Sequence, residues 1–350
     1  MENKEKRIVH VSQRIWSLIN QIDYLKGQWI GGAKLNPQAL GRLKRSVLVT
    51  SSGASTRIEG ATLSDEDVEK LMHGISVQKF KDRDTQEVKG YYELLSNVLE
   101  VWKQLPINES MIKHSHKELL KYIDKDERHR GEYKKTENNV EMFDESGKSL
   151  GIIFKTTPVY LTPKQMQELV EWTAWALDKS EYHPLLIVGN FLLTFLAIHP
   201  FQDGNGRLSR ILTNLLLLKA GYAYVPYVSH EKLIEKNKAE YYVALRKSQM
   251  TLDTEREDIE SWLEFFLTVS LEQARQAIEL LSDENIEKIL SPKQLDVWRH
   301  FETVDEATAG DVAKATGVAR PTVSQAIDVL LRLKKIERIG QGRTTRYRKI

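Results

Sequence analysis

The 350-residue sequence contains no cysteine. That excludes disulfides, thiolate nucleophiles and zinc centres built on sulfur, and it fits a reducing, cytoplasmic setting. The first residues (MENKEKRIVH) lack an apolar run followed by a small-residue cleavage site, so a secretory signal is not expected. No apolar stretch reaches the length of a membrane span. The two longest, LLIVGNFLLTFLAI (185–198) and ILTNLLLLKAGYAYV (211–225), are interrupted by polar residues and read as buried core helices, so no membrane partner is expected. Internal repeats and low-complexity segments are missing as well. What remains is an ordinary globular composition, 41% hydrophobic and 29% charged, in a chain long enough for two or three domains.

Most of the chain reads as helix, so the fold class is mainly α. Apolar positions recur at helical spacing over 8–26, and a second helix, 38–59, ends at Gly60. Thr62 to Asp67 looks like a capped start with acids in the first turn, opening a helix through Met72. Further helices are expected at about 82–104, 109–123, 163–178, 184–198, 207–220, 231–249 and 257–289. Residues 131–161 depart from this pattern: two β-prone runs surround Asp144-Glu145-Ser146-Gly147, a hairpin signal. One hairpin in a helical domain is no independent sheet, and it reads as a flap over a cleft or a surface excursion. Near residue 290 the organisation changes. Helices at about 292–302, 308–315 and 320–334, a turn at Thr316-Gly317-Val318 and an alternating basic segment 336–348 with a Gln341-Gly342 turn describe a small winged helix-turn-helix over 291–350.

The chemistry concentrates in residues 199–210, HPFQDGNGRLSR. The apolar helix before it delivers His199, and Pro200 ends that helix. Gly204, Asn205 and Gly206 favour tight turns, which aim successive backbone N–H groups at one point as an anion nest. A helix beginning at about Arg207 adds its N-terminal dipole to that point. Arg207 and Arg210 are three apart, on one helical face, where both can clamp phosphate oxygens. Asp203 is the loop's one carboxylate, suited to share a magnesium ion with phosphates. His199 is close enough to take a proton from an attacking hydroxyl. Each feature has a bland counterpart: a capping histidine, a surface turn, a solvated arginine face. Their conjunction in twelve residues is harder to explain that way.

HPFQDGNGRLSR resembles the HxFx(D/E)GNGRxxR signature of the Fic (filamentation induced by cAMP) proteins at every fixed position. The resemblance implies a Fic/Fido helical core with a β-hairpin flap, ATP as donor, Mg²⁺, and AMP transfer to a Ser, Thr or Tyr hydroxyl of a target protein. It implies His199 as base, Asp203 as metal ligand, Gly204, Asn205, Gly206 and Arg207 around the α- and β-phosphates, and Arg210 at the γ-phosphate. Phe201 is then the buried anchor of the loop. GEYKK (131–135), with Ile153-Phe154-Lys155-Thr156, looks like the flap that registers a target main chain by strand addition. Tyr241-Tyr242 looks like the adenine-side helix, where a ring can stack on the base; core packing is the competing role. Ser55-Thr56-Arg57-Ile58-Glu59-Gly60 resembles the (S/T)xxxE(G/N) inhibitory motif of some Fic proteins, in which Glu59 on Arg210 would take the γ-phosphate's place. The resemblance covers roughly 40–270. The expected division is 1–108, a helical region with the inhibitory motif; 109–250, the catalytic core; 251–290, connecting helices; and 291–350, the winged helix.

The net charge of +2 hides an asymmetry. Residues 291–350 hold 12 Lys/Arg against 7 Asp/Glu, leaving the rest slightly acidic. That charge points the tail towards duplex DNA, with Thr322, Ser324 and Gln325 on the recognition helix and Arg338, Arg343, Arg346 and Arg348 on the wing. Dimerisation or protein docking competes with it, since fold alone does not settle use, and a homodimer stays open. Three functions are therefore weighed: an autoinhibited protein adenylyltransferase, a DNA-binding regulator whose core senses nucleotide, and a related enzyme that removes AMP or transfers another group.

Overall fold

The computed structural model describes residues 2–29, 37–74, 82–123, 127–138, 140–143, 149–281, 290–333, 335–339 and 345–350. Its helices are α1 (Glu2–Val9), α2 (Gln13–Trp29), α3 (Pro37–Ile58), α4 (Asp65–Met72), α5 (Asp82–Val101), α6 (Glu109–Leu119), α7 (Thr162–Lys179), α8 (Pro184–Ile198), α9 (Asn205–Lys219), α10 (His230–Lys236), α11 (Lys238–Gln249), α12 (Glu260–Glu279), α13 (Pro292–Thr303), α14 (Ala309–Thr316) and α15 (Arg320–Arg332). Strands β1 (Val140–Phe143) and β2 (Ser149–Phe154) pair antiparallel, as do β3 (Ile336–Ile339) and β4 (Arg346–Lys349). The turns of both ribbons, 144–148 and 340–344, with Gln341, Gly342 and Arg343, lie outside the described residues, as does 282–289. Among the described residues no helix is long and apolar enough to cross a membrane.

Two compact units result, Met1–Gln21 with Ser46–Gln273, and Ile22–Arg45 with Ala274–Ile350. In the first, α8 is apolar on every side and every residue from Leu185 to Ile198 is buried. A helix of that kind belongs at the centre of a core. It packs against α7 and α9, and α9 also meets α5. The loop joining α8 to α9 is thereby hung between two rigid, buried helices.

The expected helix over 8–26 is two, because Ser12 Oγ accepts the Ile15 N–H at 3.4 Å and restarts the chain after Val9. The one over 231–249 divides at Asn237, whose Nδ2 donates to the Leu233 carbonyl at 2.8 Å. Side chains with competing polar groups make such breaks. In the second unit, α13 and α14 open with capping boxes at Ser291 and Thr308. Gly317 closes α14 at φ +68°, and Val297, Trp298, Phe301, Val323 and Leu330 form the core. Ala307 adds an antiparallel bridge to Tyr347 of β4.

Candidate active site

His199 caps α8 in the left-handed region, at φ +52° and ψ +59°, its N–H donating to the Phe195 carbonyl. Its Nδ1 lies 3.3 Å from the Leu196 carbonyl, an acceptor only. The ring proton therefore sits on Nδ1, and Nε2 keeps the lone pair a base needs. Burial, with help from the charge of Lys134, lowers the His199 pKa to about 4. The imidazole is neutral at pH 7.

Beyond Pro200 the chain buries Phe201 completely and folds back on itself. Asn205 closes the turn with both ends of its amide: Oδ1 accepts the Phe201 N–H at 2.9 Å and Nδ2 donates to the Phe201 carbonyl at 2.7 Å. The Asn205 side chain is thus spent within the loop. Gly204, at φ +76°, turns into α9, and the first intrahelical bond runs from Leu208 N to Gly204 O. The N–H groups of 205–207 have no acceptor inside the helix, which is the geometry of an anion site.

Three side chains converge on that helix start. Arg210, 2% exposed, donates Nε to Ser55 Oγ at 2.8 Å, and Nη2 to the Ser55 carbonyl at 3.0 Å and to Glu59 Oε1 at 2.7 Å. Glu59 follows the last residue of α3, and Gly60, at φ +101°, turns the chain away. Its carboxylate also lies against Gly206, where a Cβ would come within 2.3 Å of Oε1. Burial works against the Glu59 charge, but Arg210 more than offsets it, with Arg207 adding, and the pKa falls below the ordinary value. Ser55 and Glu59 thus both meet Arg210.

Asp203 stands on the other side of the nest. Its Oδ2 takes Arg83 at 2.7 Å and Arg207 at 3.2 Å, and Oδ1 takes the Gly204 N–H at 2.6 Å. Burial again opposes the charge, and Arg207, Gly204 and Arg83 together hold its pKa low. Among the described residues no three His, Cys, Asp or Glu side chains gather to hold a metal ion. A divalent ion on Asp203 needs phosphate oxygens to complete its shell. The cradle fits such an anion: Nη1 of Arg210 is buried without a hydrogen-bond partner. Nη1 of Arg207 is instead held in a buried ion pair with Glu87 Oε2 at 3.1 Å.

Tyr241 is 4% exposed and packed among Tyr242, Trp262 and Phe265, with ring centroids 5.0 to 5.8 Å apart. Buried in this way, it packs as a core ring in this structure; burial raises its pKa to about 12, and its hydroxyl lies against Arg210. Tyr242, 37% exposed, is the open ring of the pair. In the flap, Phe154 ends β2, Lys155 is exposed and Thr156 turns inward. For Ile153 only the backbone is described.

Sequence reasoning missed His116. Its ring stacks on Phe201 at 3.8 Å, Nε2 donates to the Asp203 carbonyl at 3.0 Å, and Nδ1 accepts the Gly131 N–H at 3.0 Å. Burial keeps it neutral, lowering its pKa to about 4. A single histidine on a helix face carries no signal for this. Arg83 and Glu87, which reach Asp203 and Arg207 from α5, were equally illegible.

A neutral histidine, a helix start with open N–H groups, two buried arginines and a carboxylate are thus brought together around one loop. Residues 106–217 match the model of the Fic/DOC family. It is similar to a probable protein adenylyltransferase of Aquifex aeolicus, 34% identical over 84 residues, 24% of this chain and 25% of that protein. It is also similar to the protein adenylyltransferase Fic of Drosophila virilis, 26% identical over 162 residues, 45% of this chain and 32% of the other. The chain thus spans a quarter to a third of these relatives' length. A crystal structure of a Fic family protein from Desulfovibrio desulfuricans shares the fold over 97% of both chains, at TM-score 0.63 and 24% identity.

Proposed function

We propose that this chain is a protein adenylyltransferase that Glu59 holds silent. The observation that carries the reading is a neutral His199, its Nε2 lone pair available, in the loop that leads into an anion nest where Arg210 keeps an unbonded, buried Nη1. In the reaction, a Ser, Thr or Tyr hydroxyl oxygen attacks the α-phosphorus of ATP. Its proton passes to His199 Nε2, the bond from the α-phosphorus to the bridging oxygen breaks, and pyrophosphate leaves. The N–H groups of 205–207, with Arg207, meet the negative charge that grows on the phosphates. Arg210 holds the γ-phosphate once Glu59 withdraws. Asp203 would hold Mg²⁺, which supplies charge neutralisation when bound. A neutral base favours catalysis over nucleotide sensing alone.

The target main chain is taken to pair along β2, beside a cleft of about 510 Å³ bordered by Lys155, Thr157, Pro158 and Gln165. Residues 291–350 are read as a winged helix-turn-helix with duplex DNA as its partner. Exposed Arg320, Ser324, Gln325 and Arg332 on α15 support this. The ribbon contributes less charge than its composition suggests, because Arg346, Arg348 and Lys349 pair with Glu306, Glu337 and Glu302. The deciding experiment labels ATP at the α- or the γ-phosphorus and follows protein label in wild type and Glu59→Gly. Label from the α-position alone, rising in the variant, is expected; label from the γ-position, or none in either protein, refutes the reading.

A further inference from the structure

His199 is one of three non-glycine residues among those described with positive φ. Such a conformation is strained for an L-residue, so something must hold it. The four consecutive carbonyls from Ile198 to Phe201 all accept hydrogen bonds from one short segment. Lys134 Nζ donates to Ile198 O at 3.1 Å and Lys134 N to Pro200 O at 2.8 Å. Asn138 Nδ2 donates to Phe201 O at 2.7 Å and, more weakly, to His199 O at 3.4 Å.

The same segment is tied to the far end of the flap. Lys134 Nζ also donates to Asn138 Oδ1 and Thr156 Oγ1, both at 2.8 Å, and Thr156 Oγ1 donates to Asn138 O at 2.7 Å. Lys134 is 3% exposed, and its three acceptors are neutral oxygens. Burial lowers its pKa to about 8, with Glu137 working the other way. A buried ammonium is costly unless its protons are all bonded. Here all three are, and one point joins both strands of the flap base to the carbonyl that precedes His199.

We propose that buried Lys134 and Thr156, with half-buried Asn138, form a polar clamp that holds His199 in its left-handed conformation and couples it to the flap. The proposal rests on the reading of His199 as the base. The three are positioning residues: none touches the reacting atoms. Thr156 leaves β2 two residues after Phe154, so a target strand that shifts β2 acts through the clamp on the base. The nucleotide nest is carried by the start of α9 and by the arginines, outside the clamp. Losing the clamp should therefore lower turnover and spare nucleotide affinity.

The test uses the full chain in the Glu59→Gly background, with Lys134→Met, Thr156→Val and Thr156→Ser. Thr156→Val keeps shape and loses the hydroxyl, and it remains informative if Lys134→Met fails to fold. We expect kcat to fall at least about tenfold in Lys134→Met and Thr156→Val, with KM for Mg-ATP within about twofold. Amide exchange at His199, Phe201 and Gln202 should accelerate by a similar factor, while exchange elsewhere in α8 and α9 holds. Thr156→Ser should rescue both. Unchanged kcat and exchange in Thr156→Val, a rise in KM at constant kcat, or Thr156→Ser behaving like Thr156→Val would overturn the clamp. If Glu59→Gly transfers no AMP at all, the adenylyltransferase reading fails separately, and the exchange rates still decide whether the clamp holds the loop.

Discussion

Glu59→Gly tests the silent state at the level of energies. Breaking a buried ion pair by removing one partner typically costs about 3–5 kcal/mol. Two features lower that figure here. The Glu59 side chain is 36% exposed, so water screens its charge. Arg210 also keeps its bonds to Ser55 Oγ and the Ser55 carbonyl. The loss should be about 2 kcal/mol, a fall in melting temperature of about 4–8 °C at 2–4 °C per kcal/mol. ATP must displace the same carboxylate in wild type, so the same 2 kcal/mol separates the two proteins in productive affinity, about 30-fold. Saturating Mg-ATP should restore the variant's lost stability and raise its transfer rate by a comparable factor. Glu59→Gln, which keeps length without charge, should behave like the glycine variant. Arg210→Ala should stay inactive with or without Glu59, because one arginine serves both states. Differential scanning fluorimetry with and without Mg-ATP, beside an α-label assay, reads all of this. Equal ATP-induced shifts and equal labelling in wild type and variant would refute the reasoning.

The remaining predictions draw on the same contacts. Gly206→Ala should destabilise wild type by about 1–2 kcal/mol, because its Cβ would come within 2.3 Å of Glu59 Oε1; in Glu59→Gly that loss should vanish, and a double-mutant cycle without coupling removes the contact from the account. His116, His199 and His230 are buried with pKa values lowered to about 4. Their neutral forms favour the fold, so this contribution is complete above pH 6.5 and is lost as pH falls from there through 4. By pH 5 each should cost about 2 kcal/mol, and equal urea midpoints at pH 7.5 and 5 would contradict it. Duplex binding through 291–350 should weaken with salt at about 0.9 log unit of affinity per log unit of salt for each phosphate contact. With three ribbon cations already paired, the slope measured by anisotropy should reflect only a few contacts, and no binding at low salt points instead to protein docking.

Much of the site was legible because its parts sit close together in the chain. Pro200 ends one helix, Gly204 starts the next, and the backbone between them must turn N–H groups outward; no distant residue is needed for that. The apolar run 185–198 announces a buried helix by composition, and the fold class follows from helical spacing. Glu59 lies about 150 residues from Arg210, and only a family resemblance could join the two before the 2.7 Å contact was seen. What tertiary structure alone decided is where each polar group finds its partner. Tyr241 became part of an aromatic cluster because Trp262 and Phe265 close over it. His116, Arg83 and the Lys134 clamp became part of the site because three separate segments fold against one loop. Three cations of the basic ribbon are paired by glutamates at 302, 306 and 337, two of them more than 30 residues away. Local backbone preferences act over a few residues and can be read in order; long-range hydrogen bonds and ion pairs depend on distances that only the packed chain sets.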